Sequence, residues 1–234
     1  MRQRIKTAKI KGMPIIPQPV VIVADTTFFK RSFGICVFRA PHLKKNLYWT
    51  EVLSETAEIY RLARKNLELM GFKILAVVLD GRKGIREIFH DLPVQMCHFH
   101  QQMIITRYLT TNPRLAASKE LRSLAFALSR SSEEKFALKL ESWHKKWEIF
   151  LKEKSINLLS GGWSYTHKRL RAAYRSLKTN LPFLFTFQKY PELRIPNTTN
   201  SLDGAFSHLK ELVLIHRGLG PQIKRKMIQE ILTK

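Results

Sequence analysis

The alternation of apolar and polar residues divides the chain into a strand-rich first part and a helix-rich second part. From Val20 onward, three β-branched and aromatic runs follow one another with short polar breaks, the first at Lys30–Arg31: VVIVADTTFF, SFGICVFRA and NLYWTEVL. This pattern predicts a three-strand meander. Residues 54–71 then repeat apolar positions at helical spacing, with Ser54 as a candidate N-cap and Gly71 as a stop, which predicts a helix.

The next segments continue the alternation of strands and helices. FKILAVVLD is apolar almost throughout, which is typical of a strand buried on both faces. GRKGIREIFHD predicts a short helix and PVQMCHF a further strand. From Gln101 to Leu159 the pattern is helical, and after the glycine pair at 161–162 the segment SYTHKRLRAAYRSLKTNLPFLFTF predicts another helix that ends near Pro182. SLDGAFSHLKELVLIH predicts a closing helix, and KRKMIQEILTK a short one.

The predicted order is therefore β-β-β-α-β-α-β, followed by a long helical stretch and a closing helix. This order fits an α/β fold with a ribonuclease-H-like core, in which a mixed sheet carries helices on its faces, although the pattern alone leaves other α/β folds open. The predicted segments are 1–18, a basic leader or linker remnant; 19–100, the first part of the core; 101–195, a mainly helical insertion; and 196–234, the closing helix of the core and a basic tail.

The charge of the chain changes this picture more than its size does. Its 234 residues can bury a sizeable core, but 41 Lys and Arg face only 18 Asp and Glu, a net charge of +23. Such an excess favours a polyanionic partner, since neutralised phosphates release their counterions. A solvated basic surface without a dedicated ligand is the alternative.

The cysteines and the apolar runs indicate the compartment. Cys36 and Cys97, in different predicted strands, give no disulfide framework. No apolar run approaches the roughly 18 residues of a membrane span, and the basic start lacks the apolar core of a secretory signal. We expect a cytoplasmic, nucleoid-associated protein that does not contact a membrane.

Two aspartates lie in unusually apolar strand surroundings. Asp25 follows VVIVA and shares a strand face with Val21 and Val23, where a carboxylate is costly to bury unless it is paired or binds a metal. Asp80 ends ILAVVL and precedes Gly81, and ligand sites in open α/β sheets favour such strand ends. The alternatives are an edge-strand acid facing water for Asp25 and a helix cap for Asp80.

A third aspartate begins the closing helix. If Asn200 caps this helix, Asp203 occupies its first turn, where it favours the helix dipole and can close a capping box. The helix docks through an apolar stripe: Leu202, Phe206, Leu209 and Val213. Lys210 projects about 20° from Asp203 around the axis, whereas Glu211 lies about 80° away and is the weaker candidate ligand.

Three such carboxylates can converge on a pair of hard cations. Mg²⁺ and Mn²⁺ prefer oxygen ligands. Two ions can activate a water or a 3′-hydroxyl and stabilise the leaving oxygen during in-line attack on a phosphodiester. The prediction is a two-Mg²⁺ site on Asp25, Asp80 and Asp203, with Mn²⁺ as a substitute.

Four motifs in this order resemble the Mutator-like family of DDE transposases, which includes many bacterial insertion-sequence enzymes. They are the strand acid in VVIVADTTFF, the strand-end acid in VVLDGRKGI, the C-x-x-H pair Cys97 and His100, and PNTTNSLD, similar to the family's TTN-x-x-E motif, with Thr199, Asn200 and the later Lys210. A tryptophan in the helical insertion is a further family feature, for which Trp163 is the best match and Trp143 and Trp147 are others. The resemblance extends from about Val20 to Arg217.

The resemblance implies a ribonuclease-H-like fold with an α-helical insertion between the second and third catalytic acids. It also implies Mg²⁺-dependent cleavage of transposon ends and strand transfer into target DNA, with at least a homodimer to pair two ends. The chain departs from the family at Asp203, where Glu is usual, and in having only about 18 residues before the first strand.

Other positions and other functions complete the set of hypotheses. Aromatic and basic side chains are predicted to clamp DNA: Trp163, His167, Lys168, Arg169, Arg171, Arg175 and Lys210. A solvated basic helix face is the alternative for these residues, and zinc is the alternative for Cys97 and His100, although two ligands do not make a structural zinc site. The competing functions are a catalytically inactive, truncated or repurposed transposase-derived DNA-binding protein, and another ribonuclease-H-like metal nuclease.

Overall fold

A computed structural model describes residues 15–29, 33–156, 161–215 and 218–232, which form two compact units. The first unit combines the chain up to Val94 with the segment from Thr199 onward, and the second is Gln95–Thr198. Residues 1–14 of the predicted leader, the predicted Lys30–Arg31 turn and residues 157–159 of the predicted helical stretch lie outside the described residues.

The first unit is built on a mixed five-stranded sheet, with the α/β character that the sequence predicts. Its strands are β1 (Pro19–Phe29), β2 (Phe33–Ala40), β3 (Lys45–Val52), β4 (Lys73–Leu79) and β5 (Val94–Met96), the last of which begins in this unit and ends in the second. They lie in the order β3-β2-β1-β4-β5. β2 runs antiparallel to both β1 and β3, which confirms the meander, while β1 and β4 are parallel. Central strand β1 is buried from Val20 to Asp25, so it is covered on both faces.

Helices of the first unit pack on this sheet. They are α1 (Ala57–Leu69), the single turn α2 (Lys83–Arg86) with a 3₁₀ turn at 87–89, α9 (Asn200–Ile215) and α10 (Pro221–Leu232). Tyr60 of α1 is 1% exposed and meets Phe38 of β2 edge-on, with 5.4 Å between ring centroids. Helix α9 lies against β1. It buries Leu202, Phe206 and Leu209 of the predicted stripe, whereas the fourth member, Val213, is half-buried.

The second unit is mainly helical. Its helices are α3 (His98–Leu109), α4 (Ala116–Phe126), α5 (Glu133–Lys146), α6 (Glu148–Lys152), α7 (Lys168–Leu184) and α8 (Thr186–Lys189). A short hairpin of β6 (Lys154–Ile156) and β7 (Trp163–Tyr165) joins α6 to α7. The core is apolar, centred on the fully buried Ile105, Leu121, Phe136, Leu177 and Phe185.

Several predicted boundaries are wrong, each for a local reason. Helix α1 has Thr56, not Ser54, at its N-cap. The strand predicted over PVQMCHF stops at Met96, because Cys97 is the N-cap of α3. Residues 163–165 pair with β6 instead of starting a helix, and α7 continues through Pro182 to Leu184. Pro182 has no backbone N–H, so it cannot donate the helical hydrogen bond to the carbonyl of Lys178, four residues earlier.

Candidate functional site

Asp25 is a buried carboxylate in the middle of the sheet. Its residue is 8% exposed, and its Oδ1 accepts a hydrogen bond of 2.8 Å from the backbone N–H of Thr26. β1 has β2 on one side and β4 on the other, so the edge-strand alternative for Asp25 is wrong. A charge in this position needs compensation that apolar neighbours such as Val23 and Val37 cannot provide.

The strand register brings the end of β4, which Asp80 follows directly, next to the part of β1 that leads into Asp25. Val23 of β1 is paired with Val78 of the parallel strand β4, and β4 ends at Leu79. If the pairing is extended by two residues it reaches Asp25 and Asp80, on one face because side chains alternate with period two. Neighbouring strands lie about 4.8 Å apart. Gly81 adopts a φ of 95°, which glycine tolerates without strain, so that the chain turns away directly after Asp80.

Asp80 is held by the turn that follows it and does not cap a helix. Its Oδ1 accepts a 3.1 Å hydrogen bond from the backbone N–H of Arg82, and its Oδ2 lies 3.2 Å from Arg82 Nε. The N-cap of α2 is Arg82, with no side-chain capping bond, so the capping alternative for Asp80 is wrong. The carboxylate is partly accessible, with a side-chain exposure of 19%.

Sequence reasoning missed Glu55, a third acid at this edge of the sheet. β3 is antiparallel to β2 and therefore runs in the same direction as β1, so their carboxyl ends share one edge. Glu55 follows the end of β3, with a side-chain exposure of 5%. It accepts a 2.6 Å hydrogen bond from Tyr60 Oη and lies 3.0 Å from Arg82 Nη1. The signal that could have identified Glu55 is its position just after the end of a predicted strand, since the sheet topology places that strand end at the same edge as Asp80.

Arg82 thus pairs with two carboxylates. The negative charges of the nearby acids also act on the buried side chains around them. Burial raises the pKa of the Cys36 thiol to about 12, and the charges of Glu55 and Asp25 also raise it. Burial likewise raises the pKa of Tyr60. Both groups stay protonated near neutral pH, so Cys36 is neither a thiolate nucleophile nor a thiolate ligand.

Asp203 is oriented by the residue that precedes its helix. Helix α9 begins at Asn200, which is exposed, so the cap predicted at Asn200 is wrong and Thr199 stands in front of the first turn. The buried Thr199 accepts the N–H of Asp203 at its carbonyl, at 3.1 Å, and donates its hydroxyl to Asp203 Oδ2, at 2.9 Å. Asp203 is half-buried, while Lys210 and Glu211 are exposed.

The three predicted metal ligands, Asp25, Asp80 and Asp203, all lie in the first unit, but together they do not form a preorganised metal-coordination site. Among residues 15–29, 33–156, 161–215 and 218–232, no group of three or more His, Cys, Asp or Glu side chains is close enough to hold a metal. Asp25 and Asp80 do suit a hard cation, because carboxylate oxygens from adjacent strands share one face. Asp203 belongs to a helix that lies against the same strand β1.

The C-x-x-H pair belongs to the second unit and surrounds a structural histidine. Cys97 is buried and its thiol forms no disulfide, and His100 is half-buried in the first turn of α3. Between them, His98 is 1% exposed, and its Nε2 lies 2.6 Å from the carbonyl oxygen of Leu184. Burial lowers the pKa of His98, so the neutral ring donates from Nε2. Among the residues that the structure describes, Cys97 and His100 belong to no group of three or more His, Cys, Asp or Glu side chains that could hold a zinc ion.

The predicted DNA-binding residues of the second unit divide into two groups. Trp163, Lys168, Arg169 and Arg175 are exposed, with Trp163 at 58%. His167 stacks on Phe150 at 3.7 Å and pairs with Glu153, and Arg171 lies over the Tyr165 ring at 3.6 Å. The other candidate tryptophans are engaged inside the unit, since Trp143 donates to the Ala117 carbonyl and Trp147 to Glu120.

Comparison with known proteins adds no relative. No protein-family model matches the chain, and a search of curated proteins finds no significant match. In the part of the chain that the structure describes, no helix is both long and apolar enough to cross a membrane.

Proposed function

We propose that the chain is the catalytic core of a metal-dependent DNA transposase with a ribonuclease-H-like fold, related to the Mutator-like family. The observation that carries the proposal is the register of β1 and β4, which brings Asp25 and Asp80 to one face at one end of the sheet. The mixed five-stranded sheet and the packing of α9 against β1 support it.

In this proposal Asp25, Asp80 and Asp203 hold two Mg²⁺ ions, with Mn²⁺ as a substitute. When bound, such ions activate a water or a 3′-hydroxyl and stabilise the leaving oxygen of a phosphodiester. The protein's own contribution is orientation: the Thr26 N–H fixes the Asp25 carboxylate, the Arg82 turn fixes Asp80, and the Thr199 hydroxyl fixes Asp203.

DNA is the proposed partner, both as transposon ends and as target. The net charge of +23 supports a polyanionic ligand. The exposed Lys168, Arg175 and Lys210 are free of ion pairs within the described residues and can contact phosphates. Because two DNA ends must be joined, the proposal includes at least a homodimer on DNA. It also includes a cytoplasmic, nucleoid-associated location.

One observation favours a second candidate, a DNA-binding protein derived from a transposase and without catalysis. The described residues include no three-membered group ready to bind a metal, and Arg82 already pairs with both Asp80 and Glu55. This candidate shares the basic surface of the first but predicts no metal dependence.

A nicking and joining assay separates the two candidates. On DNA that carries the element's own ends, the wild-type chain should nick with Mg²⁺, and Asp25→Asn, Asp80→Asn and Asp203→Asn should each lose this activity while retaining salt-sensitive DNA binding. Asp91→Asn is the matched control, because Asp91 is bound to Arg64 away from the three acids. Rescue or improvement by Asp203→Glu would identify position 203 as the third ligand. Binding without any metal-dependent nicking by the wild type would select the second candidate.

A further inference from the structure

The second unit contains a cavity of about 690 Å³ whose lining includes His167, Lys168 and Arg169 of the predicted DNA clamp together with residues that the clamp prediction does not include. It lies between the end of α3, the start of α4, the β6–β7 hairpin and the first turn of α7. Its volume is within the roughly 300–1,000 Å³ of small-ligand sites. Among the described residues that line it, none is Asp or Glu, whereas three are cations: Arg114, Lys168 and Arg169.

Two of these cations are not neutralised by the protein. Arg114 and Lys168 are exposed, and neither forms an ion pair anywhere in the described chain. Arg169 donates one guanidinium N–H to the carbonyl of Arg107, which positions the side chain but leaves its charge uncompensated. A cavity with three positive charges and no carboxylate favours an anion.

The first turn of α7 adds backbone donors to the same wall. Lys168, Arg169 and Leu170 are its first three residues, and all three line the cavity. The N–H groups of a first turn have no partner within their helix, and no side chain caps this one. A helix N-terminus of this kind also carries partial positive charge, and α7 is 17 residues long.

Ser118 supplies an independent sign of a ligand. The residue is only 6% exposed and lines the cavity from α4. Its hydroxyl forms no hydrogen bond with any described residue, and it does not return to the carbonyl of Arg114 as helical serines often do. Because Ser118 lines the cavity, an oxygen-rich anion there would accept a hydrogen bond from its hydroxyl.

We propose that this cavity binds a phosphate group through Arg114, Lys168, the first-turn N–H groups of α7 and the Ser118 hydroxyl. The group belongs either to a phosphomonoester or to a nucleic-acid backbone, since both present the same oxygens. This inference rests on the proposed DNA binding and deepens it, because it adds Arg114, Ser118 and the first-turn N–H groups of α7 to Lys168 of the predicted clamp.

Binding of a fluorescent single-stranded oligonucleotide to the full chain, in the absence of metal, tests the site. Ser118→Ala removes one hydroxyl and fits the same space, and Arg114→Gln removes one cation. We expect each to weaken binding at least about tenfold, which is near the lower end of the range for one hydrogen bond to a charged group. Arg114→Gln should also lower the slope of log affinity against log salt by about one. Lys139→Gln, which removes an exposed cation on α5 outside the cavity, is the matched control and should change affinity less than about twofold.

The same measurement distinguishes the two sources of phosphate. Inorganic phosphate and oligonucleotides with and without a 5′-phosphate are used as competitors. Preference for the 5′-phosphorylated strand, with competition by free phosphate, identifies a phosphomonoester, and equal competition by both strands identifies the backbone. An unchanged affinity in Ser118→Ala, or an equal loss in Lys139→Gln and Arg114→Gln, overturns the proposal and leaves only a diffuse basic surface. Because no metal is present, these outcomes do not depend on whether the chain nicks DNA.

Discussion

The two units of the molecule treat their buried polar groups in opposite ways. In the second unit, Gln95 and His98 both donate to the Leu184 carbonyl at the end of α7, and the Gln101 amide bonds to Ser176 and Asn180 of the same helix. These are neutral groups that bond to one another and to a helix end, although His98 Nδ1 has no hydrogen-bond partner among the described residues. In the first unit the enclosed groups are carboxylates, and the cation shared by Glu55 and Asp80 is a half-exposed arginine.

This difference separates structural polar groups from groups available for chemistry. A neutral buried network in which most donors and acceptors bond within the protein fixes helix ends and helix pairs. A buried carboxylate held by a movable surface side chain can exchange that partner for another cation. The comparison therefore points to Asp25, Glu55 and Asp80 as the reactive part of the molecule, and to His98 as a support of the fold.

The largest expected effect breaks the neutral network of the second unit. Gln95→Leu removes an amide whose residue is fully buried and that bonds to the carbonyls of Met96 and Leu184 and to the N–H of Phe187. Because these backbone groups would lose a partner, we expect a loss of about 3 kcal/mol in the free energy of unfolding, measured with urea. Gln102→Leu is the control at a half-buried site and should cost far less. Equal costs would contradict a structural role for the network.

A smaller effect is expected at the shared arginine of the first unit. Arg82→Gln leaves the buried Glu55 side chain without its cation, although Tyr60 still donates to it. Since the arginine is 54% exposed, we expect a loss of about 1–2 kcal/mol, between the values for exposed and for buried pairs. Arg61→Gln, which breaks the fully surface pair with Glu58, should change stability by less than about 0.5 kcal/mol. A stability of Arg82→Gln equal to that of wild type would show that Arg82 does not compensate Glu55.

The smallest effect is a pH dependence at the surface. The hydrogen bond from Arg64 lowers the pKa of Asp91 from 3.8 to about 2. A lowered folded-state pKa contributes stability above pH 3.8 that is lost as the pH falls toward 2. Asp91→Asn should therefore be slightly less stable than wild type at neutral pH and should match it near pH 2, in urea unfolding followed across pH. A stability difference that does not change with pH would contradict this ion pair.

Hydrophobic patterning was sufficient to predict the order of the first seven elements and the docking stripe of α9. Both follow from periodicity, which reports which face of an element is buried. Periodicity did not place the ends of the elements. In PVQMCHF, for example, the apolar residues fit the end of a strand and the start of a helix equally well, so the pattern does not show where one gives way to the other. The hairpin of β6 and β7 was missed, since three-residue strands are too short for a period to appear.

The residues of the candidate site were predictable only where the sequence of a single strand marks the acid, by surrounding or preceding it with apolar residues. Asp25 and Asp80 stand out because each interrupts or ends an apolar run. Glu55 and Arg82 lie in polar segments, and their importance arises from the alignment of β3 and β4 at one edge of the sheet. The hydroxyl bond from Thr199 to Asp203 was hidden for a similar reason, since it depends on where α9 begins.

Direct titration of Mn²⁺ into the full chain tests the central claim most directly. The account predicts saturable binding to the wild-type chain, followed by calorimetry, that is abolished in Asp25→Asn and in Asp80→Asn and unchanged in Asp91→Asn. The same affinity in all four proteins, or no binding to the wild type, would contradict a metal site on β1 and β4.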